Sequence, residues 1–127
     1  MFESVDISRM ARALSAHAGA RLGLIARNVA MANTPGYKAV DLENFADVWK
    51  QGGDTGMRAT RAGHFTSAGQ MMEPVVQPDG GEMSPDGNTV SLPREMVKSV
   101  EVRLQHEMAL AVYKNTSEIV RASLGRR

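Results

Sequence analysis

The sequence contains no cysteine. That excludes disulfides, thiol nucleophiles and cysteine-held metals, and it is neutral about compartment. Aromatic residues are scarce, at 5%. Few rigid rings beside many small and flexible side chains favour helix packing over a β-sandwich core. Charge of one sign is not in excess, since 15 basic and 14 acidic side chains leave a formal net charge of +1. No global field therefore calls for nucleic acid or an anionic membrane. Nowhere do about 18 apolar residues run together, so no transmembrane helix is expected. The start, Met1 to Asp6, lacks the basic and apolar regions of a secretory signal peptide.

The 127 residues suit one domain spanning 1–127. Two long periodic segments stand at its ends. The first runs from about Ile7 to Ala32, with an apolar stripe of Ile7, Ala11, Leu14, Ala18, Leu22, Ile25, Val29 and Ala32. Steps of three and four mark one face of an α-helix. On the opposite face Ala13, Ala16, Ala20, Gly23 and Ala30 are small enough to admit a close neighbour. Asn33-Thr34-Pro35-Gly36 ends the helix, because the residue before Pro avoids helical torsions and Pro-Gly suits a turn.

The last segment runs from about Pro93 to Leu124, with Ser91 as candidate N-cap and Pro93 and Glu95 in the first turn. It carries two apolar stripes. Val97, Val100, Leu104, Met108, Ala111, Asn115, Ile119 and Ala122 form one, expected to pack on the first helix. Val102, His106, Leu110, Tyr113, Ser117, Val120 and Leu124 form the other, expected to meet a second subunit. A helix of a small monomer usually buries one stripe, so two imply neighbours on two sides. Arg103/Glu107 and Lys114/Glu118, four apart, lend the helix weak support.

Between these segments, Leu42, Phe45, Ala46 and Trp49 predict a short third helix over about Leu42 to Lys50. From Gln51 to Pro85 glycine and proline recur and no helical period survives. A loop is expected there, with a short strand near Met72 to Val76, ordering against partners. The fold class is thus mainly α: a paired N- and C-terminal helix (residues 6–33 and 91–124) with a turn, short helix and loop between (34–90).

Catalytic and cofactor chemistry finds no foothold. Gly52-Gly53-Asp54-Thr55-Gly56 lacks the lysine of a phosphate-binding loop. His106-Glu107 has Leu110 where a zinc helix needs its second histidine. His17, His64 and His106 lie far apart, and the first and last are expected on helix surfaces or subunit contacts. Asp79, Glu82 and Asp86 lack calcium-loop spacing. Arg9, Arg12, Arg21 and Arg27 have no aromatic platform beside them and read as a solvated or salt-bridged face. No cofactor, metal, nucleic acid or small-molecule substrate is expected, and no enzymatic activity.

The segment Asn28-Val29-Ala30-Met31-Ala32-Asn33-Thr34-Pro35-Gly36-Tyr37 closely resembles the N-terminal motif of bacterial flagellar axial proteins. Tyr37 to Phe45 and Asp86-Gly87-Asn88-Thr89-Val90-Ser91-Leu92-Pro93-Arg94-Glu95-Met96 resemble segments of the basal-body rod proteins, the proximal B type most and the C type next. Ser91 stands where that family has Asp, and Pro93 is a departure tolerated early in a helix. The resemblance covers about Asp6 to Asp47 and Met83 to Ala122.

It implies an antiparallel coiled coil of terminal helices lining a hollow helical tube. The implied assembly motif is Asn28, Ala30, Asn33, Thr34, Pro35, Gly36 and Tyr37. The implied partners are copies of the chain, other proximal rod subunits, the ring–rod adaptor protein, the MS ring and the type III export gate. The implied location is the basal body in the periplasmic space, reached without signal cleavage. Long helices of this kind gain most of their stability from packing, so the isolated chain is expected to be loosely ordered until it assembles. Two other readings are a small helical adaptor binding through the C-terminal helix, and an enzyme built on the central loop. The first would leave soluble cytosolic protein; the second requires a pocket with a pKa-perturbed group.

Overall fold

The computed structural model describes residues 2–52 and 75–125. Helix α1 spans Phe2–Ala30 and helix α3 spans Leu92–Ser123. Between them lie strand β1 (Val40–Leu42), helix α2 (Phe45–Gly52) and strand β2 (Val76–Pro78). The architecture is mainly helical, as the periodicity predicts, with α1 packed along α3. The C-terminal end of α1 meets the N-terminal end of α3, since Asn28 bonds Glu95. The two helices therefore run antiparallel.

The seam is narrow and lined by small side chains. On α1, Ala11, Ala18 and Ile25 are buried at heptad spacing, with Leu14 and Leu22 half-buried between them. On α3 the inward heptad is Glu95, Val102, Ala109 and Thr116, joined by Lys98. Ala18, Ile25 and Val102 form the apolar cluster, with Leu22 against it. Alanines at 11, 18 and 109 let the backbones approach closely, which larger side chains would prevent.

The inward face of α3 matches neither expected stripe within one chain. Val102, expected at a second subunit, is 1% exposed against α1. Val97, Val100, Leu104, Met108 and Ile119, expected against α1, point outward and are between 55% and 68% exposed. Ala111 is exposed with them. The cause is the first turn of α3. Glu95 and Lys98 must face the loops and strands that satisfy their charges, and that fixes the rotation of the whole helix. Of the other second-stripe residues, Val120 is half-buried, while Leu110, Tyr113 and Leu124 are exposed. Ile7 and Val29, at the ends of the α1 stripe, are also exposed.

Leu42 is a strand residue rather than the start of the short helix. β1 and β2 pair antiparallel, with Val40 opposite Pro78 and Leu42 opposite Val76. Helix α2 begins after Asn44, whose side-chain oxygen accepts from the Ala46 N–H at 3.2 Å and holds the first turn. Of the strand expected near Met72 to Val76, only Val76 falls in β2, at Val76–Pro78; Val75 is outside it, and positions 72–74 lie outside the described residues, as does His64. His17 is not a surface group. It lies buried between α1 and α2, 2.9 Å from the Glu43 carbonyl and edge-on to Phe45 at 5.6 Å. Phe45 in turn stacks on Trp49 at 5.8 Å.

Candidate assembly interface

Two motifs far apart in sequence meet at one end of the hairpin. Thr34-Pro35-Gly36-Tyr37 makes a turn closed by Tyr37 N–H donating to the Thr34 carbonyl at 3.3 Å. Pro35 supplies the fixed φ of its second position and Gly36, at φ +72°, the left-handed third. Ser84 to Asn88 makes a second tight turn, with Gly87 at φ +74°. The two turns dock. Gly36 N–H donates to the Asp86 carbonyl at 2.9 Å, and Thr89 N–H to the Tyr37 carbonyl at 3.1 Å. The Thr89 hydroxyl accepts from Ala39 N–H at 2.8 Å, and Lys38 Nζ reaches the Gly87 carbonyl at 3.2 Å.

Asn88 completes α1 from outside it. Its Nδ2 lies 3.1 Å from the Met31 carbonyl, 2.8 Å from that of Ala32 and 3.0 Å from that of Thr34. Its Oδ1 accepts from Val90 N–H at 2.8 Å. These carbonyls follow directly on the last turn of α1, and a side chain more than fifty positions away serves them. Ser91 does occupy the N-cap of α3, but its hydroxyl makes no capping bond.

Asn28, 1% exposed, is the hub of the joint. Its Nδ2 donates to the Val40 carbonyl at 2.8 Å and to Glu95 Oε2 at 3.0 Å. Its Oδ1 accepts from the Tyr37 hydroxyl at 3.1 Å and from Val40 N–H at 3.2 Å. Both amide hydrogens and the carbonyl oxygen are thus in use, tying α1 to the turn, to β1 and to α3.

Behind Asn28 runs a chain of charges. Lys98 Nζ lies 2.6 Å from Asp79 Oδ2, 3.0 Å from Glu95 Oε1 and 3.5 Å from Asp41 Oδ2. Arg21 grips Asp41 with two bonds of 2.7 Å, the planar fork that suits a carboxylate. Burial works against the Asp41 charge, but the Arg21 hydrogen bonds, the Leu42 N–H and the nearby cations outweigh it and hold the carboxyl below its usual range. Burial likewise opposes the Lys98 charge, and its bonds to Asp79 and Glu95 more than offset that and raise its pKa. Hydrogen bonding to Asp41 raises that of Arg21. Among the described residues no buried side-chain polar atom lacks a hydrogen-bond partner.

The expected assembly motif therefore divides. Asn28 and Tyr37 belong to the internal joint, whereas Ala30, Asn33, Thr34, Pro35 and Gly36 are exposed around the turn. Sequence spacing did not reveal Glu95, Lys98, Asp41, Arg21 and Asn88 as parts of one joint. The heptad of Glu95, Val102, Ala109 and Thr116 was the available signal, masked by its polar members.

The site is thus a long helical hairpin with a locked Pro-Gly turn at one end and an outward apolar face on α3. The comparisons give the family. The chain is 33% identical over 93 residues to the flagellar basal body rod protein FlgB of Cereibacter sphaeroides, covering 72% of this chain and 73% of that one. It is 34% identical over 101 residues to FlgB of Escherichia coli, covering 72% of each. No protein-family model matches. The chain belongs to the FlgB family of flagellar basal-body rod proteins.

Proposed function

We propose that this chain is a building block of the proximal rod, assembling through its terminal helices into the hollow shaft that transmits torque and passes exported subunits. It leaves the cell by the flagellar type III apparatus without signal cleavage and works in the periplasmic space. There it contacts copies of itself, other proximal rod subunits, the ring–rod adaptor protein and the MS ring. The observation that carries this reading is the outward face of α3, where Val97, Val100, Leu104, Met108 and Ile119 stand exposed in one stripe. Each such side chain contributes about 1.5–3 kcal/mol when buried, part of which offsets the cost of association. A stripe of this kind marks a surface that is covered in use.

The test replaces Val100 and Leu104 together with Asp. Neither residue is buried against α1, so the helicity of the purified chain is expected to equal that of the wild type. Incorporation into hook–basal bodies, followed by mass spectrometry, and swimming are expected to be lost. Normal incorporation of the double variant would refute the reading. Absence of the wild-type chain from basal bodies, with abundance in cytosol, would favour the adaptor instead.

A further inference from the structure

The outward faces of the two helices differ in size and in charge. On α3 the apolar ridge of Val97, Val100, Leu104 and Met108 is interleaved with Glu101, Glu107 and Glu118, all exposed. At 100° per residue Glu118 lies within the arc of the ridge and Glu101 and Glu107 flank it, about 20° outside on either side, while Arg103, Lys114 and Arg121 lie about 20–40° further round beyond Glu107. Glu118 has only an exposed contact of 4.0 Å with Lys114, a kind of pair that constrains little. On α1 no acidic residue occurs from Ile7 to Ala30. Its outward face sets Ala16, Ala20 and Gly23 in a shallow trough, with Arg12 and Arg27 exposed at either end. The space over Gly23 is open, since a Cβ there would meet nothing within 4 Å.

The geometry points to a heterologous contact in which the acidic apolar ridge of α3 seats in the basic small-residue trough of α1 on a second copy of this chain. This rests on the rod-subunit reading and says which faces meet. Charge complementarity selects the occupant. Ridge against ridge would set glutamates against glutamates, and trough against trough arginines against arginines; such like-charge contacts reject the symmetric pairings. The spans agree as well. Along the helices Arg12 and Arg27 are about 22 Å apart, and Glu101 and Glu118 about 26 Å, so both ends of the contact can be paired. Each copy uses a different face on either side, so every added copy presents a fresh ridge or trough. A heterologous contact of this type builds a ring or an open helix rather than a closed dimer.

The absence of native cysteine makes the test clean. Ala20→Cys and Leu104→Cys chains, tagged to differ in size, are expressed together in cells lacking the native gene, and their basal bodies are oxidised with copper phenanthroline. A disulfide dimer of mixed size is expected, and neither variant alone is expected to dimerise. Adding Arg12→Glu and Arg27→Glu to the first chain should lower the mixed dimer several-fold. Adding Glu101→Arg and Glu118→Arg to the second should then restore it. A dimer from Leu104→Cys alone, or a cross-link from it to a different polypeptide, overturns the assignment. So does the presence of both chains in basal bodies with no cross-link, an outcome that leaves the rod reading standing. Absence of both chains, and of the wild type, from basal bodies removes the rod reading and this inference with it.

Discussion

Replacing Asn28 with Asp is a near-isosteric change with a large expected effect. The new carboxylate oxygen takes the place of Nδ2, which donates at 2.8 Å to the Val40 carbonyl and at 3.0 Å to Glu95. Both contacts become oxygen against oxygen. The joint already holds Glu95, Asp79 and Asp41 against Lys98 and Arg21, with the exposed Arg94 4.0 Å from Asp79, so a fourth carboxylate meets no further buried cation. The lost neutral bond is worth about 1 kcal/mol and the bond to charged Glu95 about 1.5–3 kcal/mol. With an uncompensated buried charge added, the total is about 3–5 kcal/mol, a large share of the stability of a small domain. Urea titration followed by circular dichroism reads it. The sign of the pH dependence is the sharper test. The introduced carboxyl would have a raised pKa, the folded state would bind a proton more readily than the unfolded one, and stability would recover as pH falls from about 7 to about 5. Asn28→Ala would lose about 2–4 kcal/mol, from the same bonds and a small cavity, without that recovery. Equal pH profiles for the two variants would refute the hub assigned to Asn28.

Gly36→Val is expected to cost about 1–2 kcal/mol through its positive φ alone, since a Cβ at Gly36 meets nothing within 4 Å; Gly36→Asn should be nearly neutral, and the two are compared by urea midpoint and swimming radius. Asn88→Ala removes the external cap of α1 and should cost about 1–2 kcal/mol, with hydrogen exchange accelerated around Met31 to Thr34 before the rest of α1. Because the Asp41 pKa is lowered, its contribution is present above about pH 4 and lost as pH falls through the lowered value; Asp41→Asn should flatten that acid limb. Because the Lys98 pKa is raised, its contribution is complete below about pH 10 and lost as pH rises further, a limb absent from Lys98→Met.

The three helices and the Pro-Gly turn were legible because each has a local cause. Apolar residues recur at helical spacing in α1, and Pro35 and Gly36 leave few backbone choices. The inner face of α1 was legible through Ala11, Leu14, Ala18, Leu22 and Ile25 for the same reason. The inner face of α3 was not. Periodicity ranks stripes by hydrophobic size, which favours Val97, Val100, Leu104 and Met108 over Glu95, Lys98, Val102 and Ala109. What places the second set inside is non-local: Asn28, Asp41 and Asp79 wait there for Glu95 and Lys98. β1 escaped because its three residues form a strand only by pairing with β2, across a long connection. The docking of the two turns was equally hidden, though each was visible as a motif by itself.

The polar joint and the outward ridge are consistent with one division of labour. The apolar seam of a single chain is thin, with Ile25, Leu42 and Val102 its only buried large aliphatic side chains among the described residues. Burial of three such residues contributes about 5–9 kcal/mol. The joint sets register and rotation at one end, where Asn28, Asn88 and Lys98 find all their partners. Away from the joint, among the described residues, the buried seam narrows to Ala11, Ala109 and Thr116, with Leu14 and Val120 half-buried beside them. A hairpin that turned Val100, Leu104 and Met108 inward would gain stability alone and keep no apolar face for a neighbour. On the proposed rod reading, turning them outward leaves that face to be covered by the next subunit, and order along the hairpin would grow from the joint as the assembly closes over it.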